Sequence, residues 1–244
     1  MGLYNRDLMF ERPVKILHSI EGARRASGIA VIIDVFRFSN TVLALLDSGI
    51  KELIPVADLE AAYELRRKRP DILLIGERGG KKPPSFDFDN SPYEISRGEF
   101  QGKRAVITTS AGSRGLVEAA RKADQVLVAS FGNARAVANY LREKKETPVT
   151  LIPLGLNGEI EAEEDTLCAL YIAGLLFNFE MDYETIRKEL LSSPGAQRLR
   201  SLGREKDLEI CTELDRFETV PTLCKTENGF IIQAMEPPPT MPSG

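Results

Sequence analysis

Short apolar runs, each bounded by turn residues, recur along most of the chain. They are rich in aliphatic and β-branched side chains, which is typical of strands that are buried on both faces of a parallel sheet. The runs are VKIL (14–17), IAVIID (29–34), ELIPV (52–56), DILLIGE (71–77), RAVITT (104–109), QVLVAS (125–130) and VTLIPLG (149–155). A further run near the C-terminus, FIIQA (230–234), predicts an edge strand.

Amphipathic segments separate several of these runs and place apolar side chains at helical spacing. The alternation of strands and helices predicts an α/β fold, with a mixed, mainly parallel sheet between two layers of helices in a three-layer α/β/α arrangement. The segments are NTVLALLDSG (40–49), DLEAAYELRRKR (58–69), SRGLVEAARKA (113–123) and NARAVANYLREKK (133–145).

The C-terminal part of the chain has a more helical pattern. No linker rich in Gly, Pro or Ser divides the chain, so we expect one α/β domain over residues 1–236, which could contain a helical sub-part from about residue 160. Residues 237–244 have the composition of a disordered tail. The helical segments are EAEEDTLCALYIAGLLFNF (161–179), DYETIRKELLSS (182–193) and AQRLRSLG (196–203).

The overall charge bears on the class of ligand. The chain is 43% hydrophobic, which is typical of a globular protein. Its formal net charge is -4, so no global basic field attracts nucleic acid or an acidic membrane. We therefore expect neither partner. Any anionic ligand must be bound by a local cluster of cations.

Cysteine and histidine usage narrows the chemistry further. The three cysteines are far apart and form no CxxC motif, which favours reduced thiols in a cytoplasmic protein over a structural zinc site. The N-terminus, MGLYNRDLMFERP, is too charged for a signal peptide, and no run reaches the roughly 18 apolar residues of a membrane span. We expect the lone histidine, His18, to be structural or at the surface.

Polar residues that directly follow the predicted strands are the candidates for chemistry, because ligands of such sheets bind outside the carboxyl ends of the strands. Asp34 is the most informative, since a carboxylate that abuts a buried strand requires a partner. That partner could be a helix N-terminus capped by Asn40 or Thr41, the side chain of Arg37, or a metal ion.

Two other segments allow a functional and a structural interpretation. TTSAGSRG (108–115) is typical of a strand-to-helix turn that holds an anion, but a helix cap has the same pattern. The acidic run at 161–165 could form a site or an ordinary first helical turn. No Walker A motif is present and no GxGxxG follows the first strands, which disfavours nucleotide ligands.

Taken together, the ordered motifs resemble the 2-phosphosulfolactate phosphatase family, magnesium-dependent enzymes of coenzyme M biosynthesis. The resemblance extends from about residue 14 to residue 224. The motifs are IIDVFRFSNT, GERGGKKPPSFDFDNSP, VITTSAGSRG, SFGNA, GEIEAEEDTLCA and LGREKDLEIC. The resemblance implies a phosphatase whose substrate carries a phosphate, a sulfonate and a carboxylate on three carbons.

This resemblance also implies roles for residues at the strand ends. Arginine and lysine would bind the substrate anions, and carboxylates would bind Mg²⁺, which prefers hard oxygen ligands. The predicted catalytic residues are Asp34, Arg37, Arg78 and Asp165, and the predicted metal ligands are Asp34, Glu164 and Asp165, with Glu77 and Asp87 as further candidates. The predicted substrate-binding residues are Arg37, Arg78, Lys81, Asn90, Thr109, Ser110, Gly112, Arg114 and Asn133.

Alternatives to this hypothesis stay open at the sequence level. DVFRFSNT faintly resembles the nucleophile strand of haloacid-dehalogenase-like phosphatases, but Phe36 stands where those enzymes carry a second aspartate. A non-catalytic protein that binds a phosphorylated acid would use the same cations. Asp34 could be a nucleophile, a base or a metal ligand, and the protein could be a homodimer.

Overall fold

The computed structural model describes residues 13–235. The predictions for the charged N-terminus and for the tail at 237–244 concern segments outside this range. Nine strands of the described part form one sheet in the order β1-β7-β2-β6-β8-β9-β3-β5-β4. Their bounds are β1 Val14–Ile16, β2 Ile29–Ile33, β3 Glu52–Pro55, β4 Leu73–Gly76, β5 Arg104–Thr108, β6 Gln125–Ala129, β7 Val149–Pro153, β8 Pro221–Thr226 and β9 Gly229–Ala234.

The predicted fold class is confirmed: the sheet is mixed and mainly parallel, with helices on both sides. No helix between residues 13 and 235 is long and apolar enough to cross a membrane. A 3-10 turn spans Phe131–Asn133. The helices are α1 Ser19–Arg24, α2 Phe38–Asp47, α3 Leu59–Lys68, α4 Pro92–Ser96, α5 Gly112–Ala119, α6 Ala134–Glu143, α7 Glu163–Leu176, α8 Tyr183–Ser192, α9 Pro194–Ser201 and α10 Glu205–Cys211.

The sheet consists of two parallel halves joined by an antiparallel hairpin. Strands β1, β7, β2 and β6 form one half, and β3, β5 and β4 form the other. The pairings β6–β8, β8–β9 and β9–β3 are all antiparallel, so the second half runs in the direction opposite to the first. The prediction of an edge strand at 230–234 is therefore wrong, because β9 lies in the interior of the sheet.

Helices α2 and α5 pack between the two halves. One core cluster joins Ala30 and Ile32 of β2 with Ala105 and Ile107 of β5, and α5 contacts strands of both halves. The two halves of the sheet therefore share one hydrophobic core on this face.

The other face of the sheet is covered by further helices. Ile29, Val31 and Ile33 alternate with the residues of the first cluster along β2, as the two-residue period of a strand requires, and pack with α6 and α7. α3 covers the outer face of β4 and β5 through Ala62. Strand β2 is buried on both faces, which explains its continuous apolar sequence.

Candidate active site

A cavity of about 410 Å³ opens where the two halves of the sheet meet. Its walls come from the turns after β2, β4, β5 and β7, together with the first turn of α7 and one face of α9. The turn after β6 does not contribute to it. Six of the eight charged residues that line the cavity are acidic, namely Asp34, Glu77, Glu161, Glu163, Glu164 and Asp165.

Asp34 lies directly after β2 at the start of α2. Its Oδ1 accepts a hydrogen bond from the Phe38 N–H at 3.3 Å, while the Ser39 hydroxyl accepts one from the Asp34 N–H. Oδ2 of Asp34 accepts no hydrogen bond from the described residues. Of the partners considered for this carboxylate, the helix N-terminus is present, although α2 begins at Phe38, so Asn40 and Thr41 lie within the helix and do not cap it.

Asp165 connects the turns after β2 and β7. Its Oδ1 accepts a hydrogen bond from the Val35 N–H at 2.7 Å, and its Oδ2 accepts one from the Gly155 N–H at 2.8 Å. Because one carboxyl group binds the backbone of both turns, Asp165 fixes the position of these turns relative to each other. It occupies the first turn of α7 beside Glu164, and the acidic run is thus both a helix start and part of the cavity.

Burial and mutual repulsion raise the pKa values of three carboxyl groups in the cavity. Burial, followed by the charge of Glu77, raises the pKa of Asp34 to about 7. Burial, with the charges of Asp34 and Glu164, raises the pKa of Asp165 well above its usual value. The pKa of Glu164 is also raised, mainly by burial. The cavity therefore favours a proton or a cation between these groups.

Arg37 does not form an ion pair with Asp34 in the described structure. Its Nη1 lies 2.8 Å from Asp207 Oδ2 and 3.3 Å from Asp89 Oδ2, and the guanidinium is 2% exposed. Burial acts to lower the pKa of Arg37, but these two carboxylates outweigh it and raise the pKa. Arg37 thus reaches the cavity wall with its charge already compensated, which limits what it can offer a substrate anion.

The Glu77 side chain accepts hydrogen bonds from backbone N–H groups of the turn that resembled an anion site. Ser110 N–H donates to Glu77 Oε1 at 2.6 Å, and the Glu77 Oε2 accepts from the Gly80 N–H at 2.7 Å. Thr109 and Ser113 exchange backbone-to-hydroxyl hydrogen bonds of 2.8 and 3.1 Å, which join the end of β5 to the first turn of α5. Much of the predicted anion-binding capacity of this turn is therefore used within the protein.

The structure gathers about half of the predicted site residues. Those that line the cavity are Asp34, Arg37, Asn90, Ser110, Glu164 and Asp165, together with Glu77. Those that do not are Arg78, Lys81, Thr109, Gly112, Arg114, Asn133 and Asp87.

The predicted residues outside the cavity have other contacts. Arg78 donates to Thr108 Oγ1 at 2.7 Å, Arg114 donates to the Ser110 carbonyl at 3.1 Å, and Lys81 is exposed. Asn133 is fully buried and hydrogen-bonds Ser130, Val128 and Thr219. Asp87 accepts from the Leu74 N–H and pairs with Arg66.

Several residues of this region were not among the sequence candidates. Asp89 and Asp207 compensate Arg37, and Arg198 on α9 lines the cavity. The motifs FDFDNSP and LGREKDLEIC contain the two aspartates, but the motifs alone do not distinguish these aspartates from the other polar residues beside them. Arg198 lies outside every motif and had no signal except its place on an amphipathic helix.

The fold and the cavity define an α/β protein with a carboxylate-rich site at the strand ends. The family model of 2-phosphosulpholactate phosphatase matches residues 15–226. The chain therefore belongs to the 2-phosphosulpholactate phosphatase family, and this match gives no support to the haloacid-dehalogenase alternative.

Curated relatives agree with this assignment. A protein of Thermotoga petrophila is 37% identical over 216 residues, which cover 83% of this chain and 91% of the relative. A protein of Clostridium perfringens is 36% identical over 79% of this chain and 84% of its own length. One of Carboxydothermus hydrogenoformans is 32% identical over 91% of this chain and 97% of its own length. Each is named "Probable 2-phosphosulfolactate phosphatase".

Proposed function

We propose that this protein is a Mg²⁺-dependent phosphatase that hydrolyses 2-phosphosulfolactate to sulfolactate and phosphate, a step of coenzyme M biosynthesis. Its family and the names of its relatives indicate a phosphoric monoester hydrolase. The free thiols of Cys168, Cys211 and Cys224 suit a reducing, cytoplasmic setting.

The observation that carries the metal dependence is the uncompensated negative charge of the cavity. Asp34, Glu164 and Asp165 are each at least nine-tenths buried, and Arg37 is paired with other carboxylates. Arg198 is the one further cation among the described residues that line the cavity, so the acidic side chains remain in excess. A phosphate ester carries further negative charge, so it requires a cation that offsets both sets of charges. This supports a divalent ion bound together with the substrate.

The available donor atoms suit Mg²⁺. All are hard oxygens, and Oδ1 of Asn90, on the cavity wall, is buried without a hydrogen-bond partner. Within residues 13–235 no three Asp, Glu, His or Cys side chains converge into a complete metal site. Mg²⁺ nevertheless commonly uses one or two carboxylates, with waters and substrate phosphate oxygens as its other ligands.

We assign the carboxylate contacts with the ion to Asp34 and Glu164. Asp165, the third predicted ligand, accepts backbone hydrogen bonds with both oxygens and would orient the turn that carries Asp34. When bound, Mg²⁺ would neutralise charge on the transferring phosphoryl group and lower the barrier to its hydrolysis.

The protein's own groups would position the substrate. The Asn90 side chain lies on the cavity wall, where its amide can donate to substrate oxygens, and the Ser110 hydroxyl on the same wall would have to leave Glu77 Oε2 to do so. Without a metal, burial and the neighbouring carboxylates raise the pKa of Asp34 to about 7, so a proton and a cation compete for this carboxyl near neutral pH.

Phosphate release measured with the full chain tests the function. We expect hydrolysis of 2-phosphosulfolactate with Mg²⁺, loss of hydrolysis in EDTA and recovery when excess Mg²⁺ is added. Equal rates in Mg²⁺ and EDTA would contradict the metal dependence. Calorimetric binding of the substrate without any phosphate release in Mg²⁺ would instead identify a non-catalytic phospho-acid binding protein.

A further inference from the structure

Helix α9 presents one face to the cavity. Gly195, Arg198, Leu199 and Leu202 all line it, at the spacing that places residues on the same side of a helix or its continuation. Gly195 allows close approach, since a Cβ there would overlap the Glu164 carboxylate. The sequence and packing of α9 therefore bring Arg198 to the acidic cavity.

Arg198 differs from Arg37 in its charge environment. Arg37 has two buried carboxylate partners, whereas the structure shows no ion pair for Arg198 with any of residues 13–235. Of the two arginines that line the cavity, only Arg198 has no ion pair with a carboxylate among the described residues, although its positive charge acts to lower the pKa of Glu164. Its guanidinium remains available for an anion that enters.

The Arg198 guanidinium lies close to Gly80. A Cβ on Gly80 would lie 3.3 Å from Arg198 Nη2 and 2.8 Å from Leu202 Cδ1, so Gly80 and Leu202 border the arginine. The backbone of Gly80 also accepts a hydrogen bond from Arg37 Nη2 at 3.4 Å. Both arginines therefore lie near the same glycine, but only Arg198 belongs to the C-terminal helices.

A planar guanidinium binds carboxylates and sulfonates through two parallel hydrogen bonds, which gives it geometric selectivity as well as charge. The carboxylates around Asp34 require a cation, and the phosphate of the substrate can share that cation. A second acid group would still require a cation of its own, and Arg198 is the protein group that can supply it.

We propose that Arg198 binds the acid group that the substrate carries besides its phosphate, and that it selects phosphorylated small acids over simple phosphate monoesters. The inference rests on the proposed function and names the substrate class of the same site.

The test compares two substrates, 2-phosphosulfolactate and phenyl phosphate, which lacks a second acid group. The readout is the ratio of their kcat/KM values, in the wild type and in Arg198→Gln. We expect the ratio to fall by roughly 10²-fold, because a charged hydrogen-bonding partner of the acid is lost. Hydrolysis of phenyl phosphate shows at the same time that the variant is folded.

Two further variants sharpen the result. Arg198→Lys keeps the charge but not the planar fork, so it should restore the ratio only in part. Arg200→Gln makes the same charge change on α9, where Arg200 is exposed and donates to the Leu191 carbonyl, and it should leave the ratio unchanged. An unchanged ratio in Arg198→Gln, or an equal change in Arg200→Gln, would overturn the proposal.

Calorimetry separates this proposal from the proposed function. If the wild type binds 2-phosphosulfolactate in Mg²⁺ but hydrolyses neither substrate, the phosphatase function fails. The role of Arg198 then stands if Arg198→Gln weakens that binding at least about tenfold and falls if it does not. A wild type that binds no 2-phosphosulfolactate overturns both.

Discussion

Opposing effects act on the ionisation of the Asp34 carboxyl group. The N-terminus of α2 favours its charged form through the Phe38 N–H, whereas burial and the charges of Glu77 and Glu164 disfavour it. The unfavourable effects win, since the pKa of Asp34 rises to about 7. Such a carboxyl is costly to ionise in the folded protein without metal, which is expected of a functional group and not of a helix cap.

This pKa predicts how Asp34→Asn changes stability with pH in EDTA. The folded pKa lies above the unfolded value of about 3.8, so the stabilisation due to protonated Asp34 is complete below that value and is lost as pH rises through 7. Asparagine does not ionise. The variant should therefore gain stability relative to the wild type from pH 4 to pH 8, by about 2–4 kcal/mol. Urea denaturation at several pH values measures the difference.

Asp182→Asn is the matched control for this measurement. Asp182 is exposed and caps α8, and hydrogen bonding to Thr185 lowers its pKa, which is the opposite direction. Its replacement should bring no gain at high pH. A stability difference for Asp34→Asn that does not change between pH 4 and pH 8 would show that the Asp34 carboxyl ionises normally in the folded protein.

The position of individual residues at the cavity could be predicted only where the signal was local. A carboxylate directly after a buried strand identified Asp34 without any structure. The partners of Arg37 lie 52 and 170 residues away along the chain, so proximity in sequence suggested the wrong carboxylate. Arg198 resembled an ordinary base in the last turn of a helix, and only its place at the cavity distinguishes it.

At the scale of elements, the strands that were predicted best are those with continuous burial. β2 and β7 are buried at every position, and their apolar sequences show it. β8 changes from buried to exposed along its length, so Pro221–Thr226 has no strand pattern, and its absence from the prediction made β9 look like an edge strand. The hairpin is defined by pairing with distant strands, which the local sequence does not encode.

Contacts between helix starts also position the site. Gly112 begins α5 and lies so close to Phe38, the first residue of α2, that a Cβ would overlap the Phe38 ring. The sequence predicts Gly112 as a substrate-binding residue in a possible anion-binding turn. The structure instead indicates a glycine that lets two helix starts pack beneath Asp34.

Gly112→Ala should therefore destabilise the protein and displace Phe38. Phe38 is fully buried, so overpacking should cost about 1–3 kcal/mol, and turnover should fall because the Phe38 N–H contacts Asp34. Chemical denaturation and phosphate release measure the two effects.

Gly174→Ala provides a helical control in α7. There a Cβ would lie 3.1 Å from Met181 Sδ and 3.2 Å from the Phe179 carbonyl oxygen, contacts that shifts of a few tenths of an ångström relieve, and alanine is the better helix former. Its stability should stay within about 1 kcal/mol of the wild type. Gly112→Ala at wild-type stability would refute the packing role of this glycine.

At the scale of the whole molecule, the site depends on both halves of the sheet and on the C-terminal helices. Asp34 follows a strand of one half, Glu77 follows a strand of the other, and Glu164 belongs to α7. The sequence predicts that these turns meet because the strands before them run parallel in a mixed, mainly parallel sheet. They meet although the two halves of the sheet run in opposite directions, and such long-range geometry could not be predicted from local patterns.

The most direct measurement is Mg²⁺-dependent phosphate release from 2-phosphosulfolactate by the wild type, Asp34→Asn and Asp87→Asn. The sequence predicts both aspartates as candidate metal ligands, but only Asp34 lines the cavity. We predict that turnover by Asp34→Asn falls at least about 10³-fold, equivalent to about 4 kcal/mol of barrier, in a protein that remains folded. Asp87→Asn should retain turnover within about tenfold of the wild type. Near-normal Mg²⁺-dependent turnover by Asp34→Asn would contradict the assignment of this cavity as the phosphatase site.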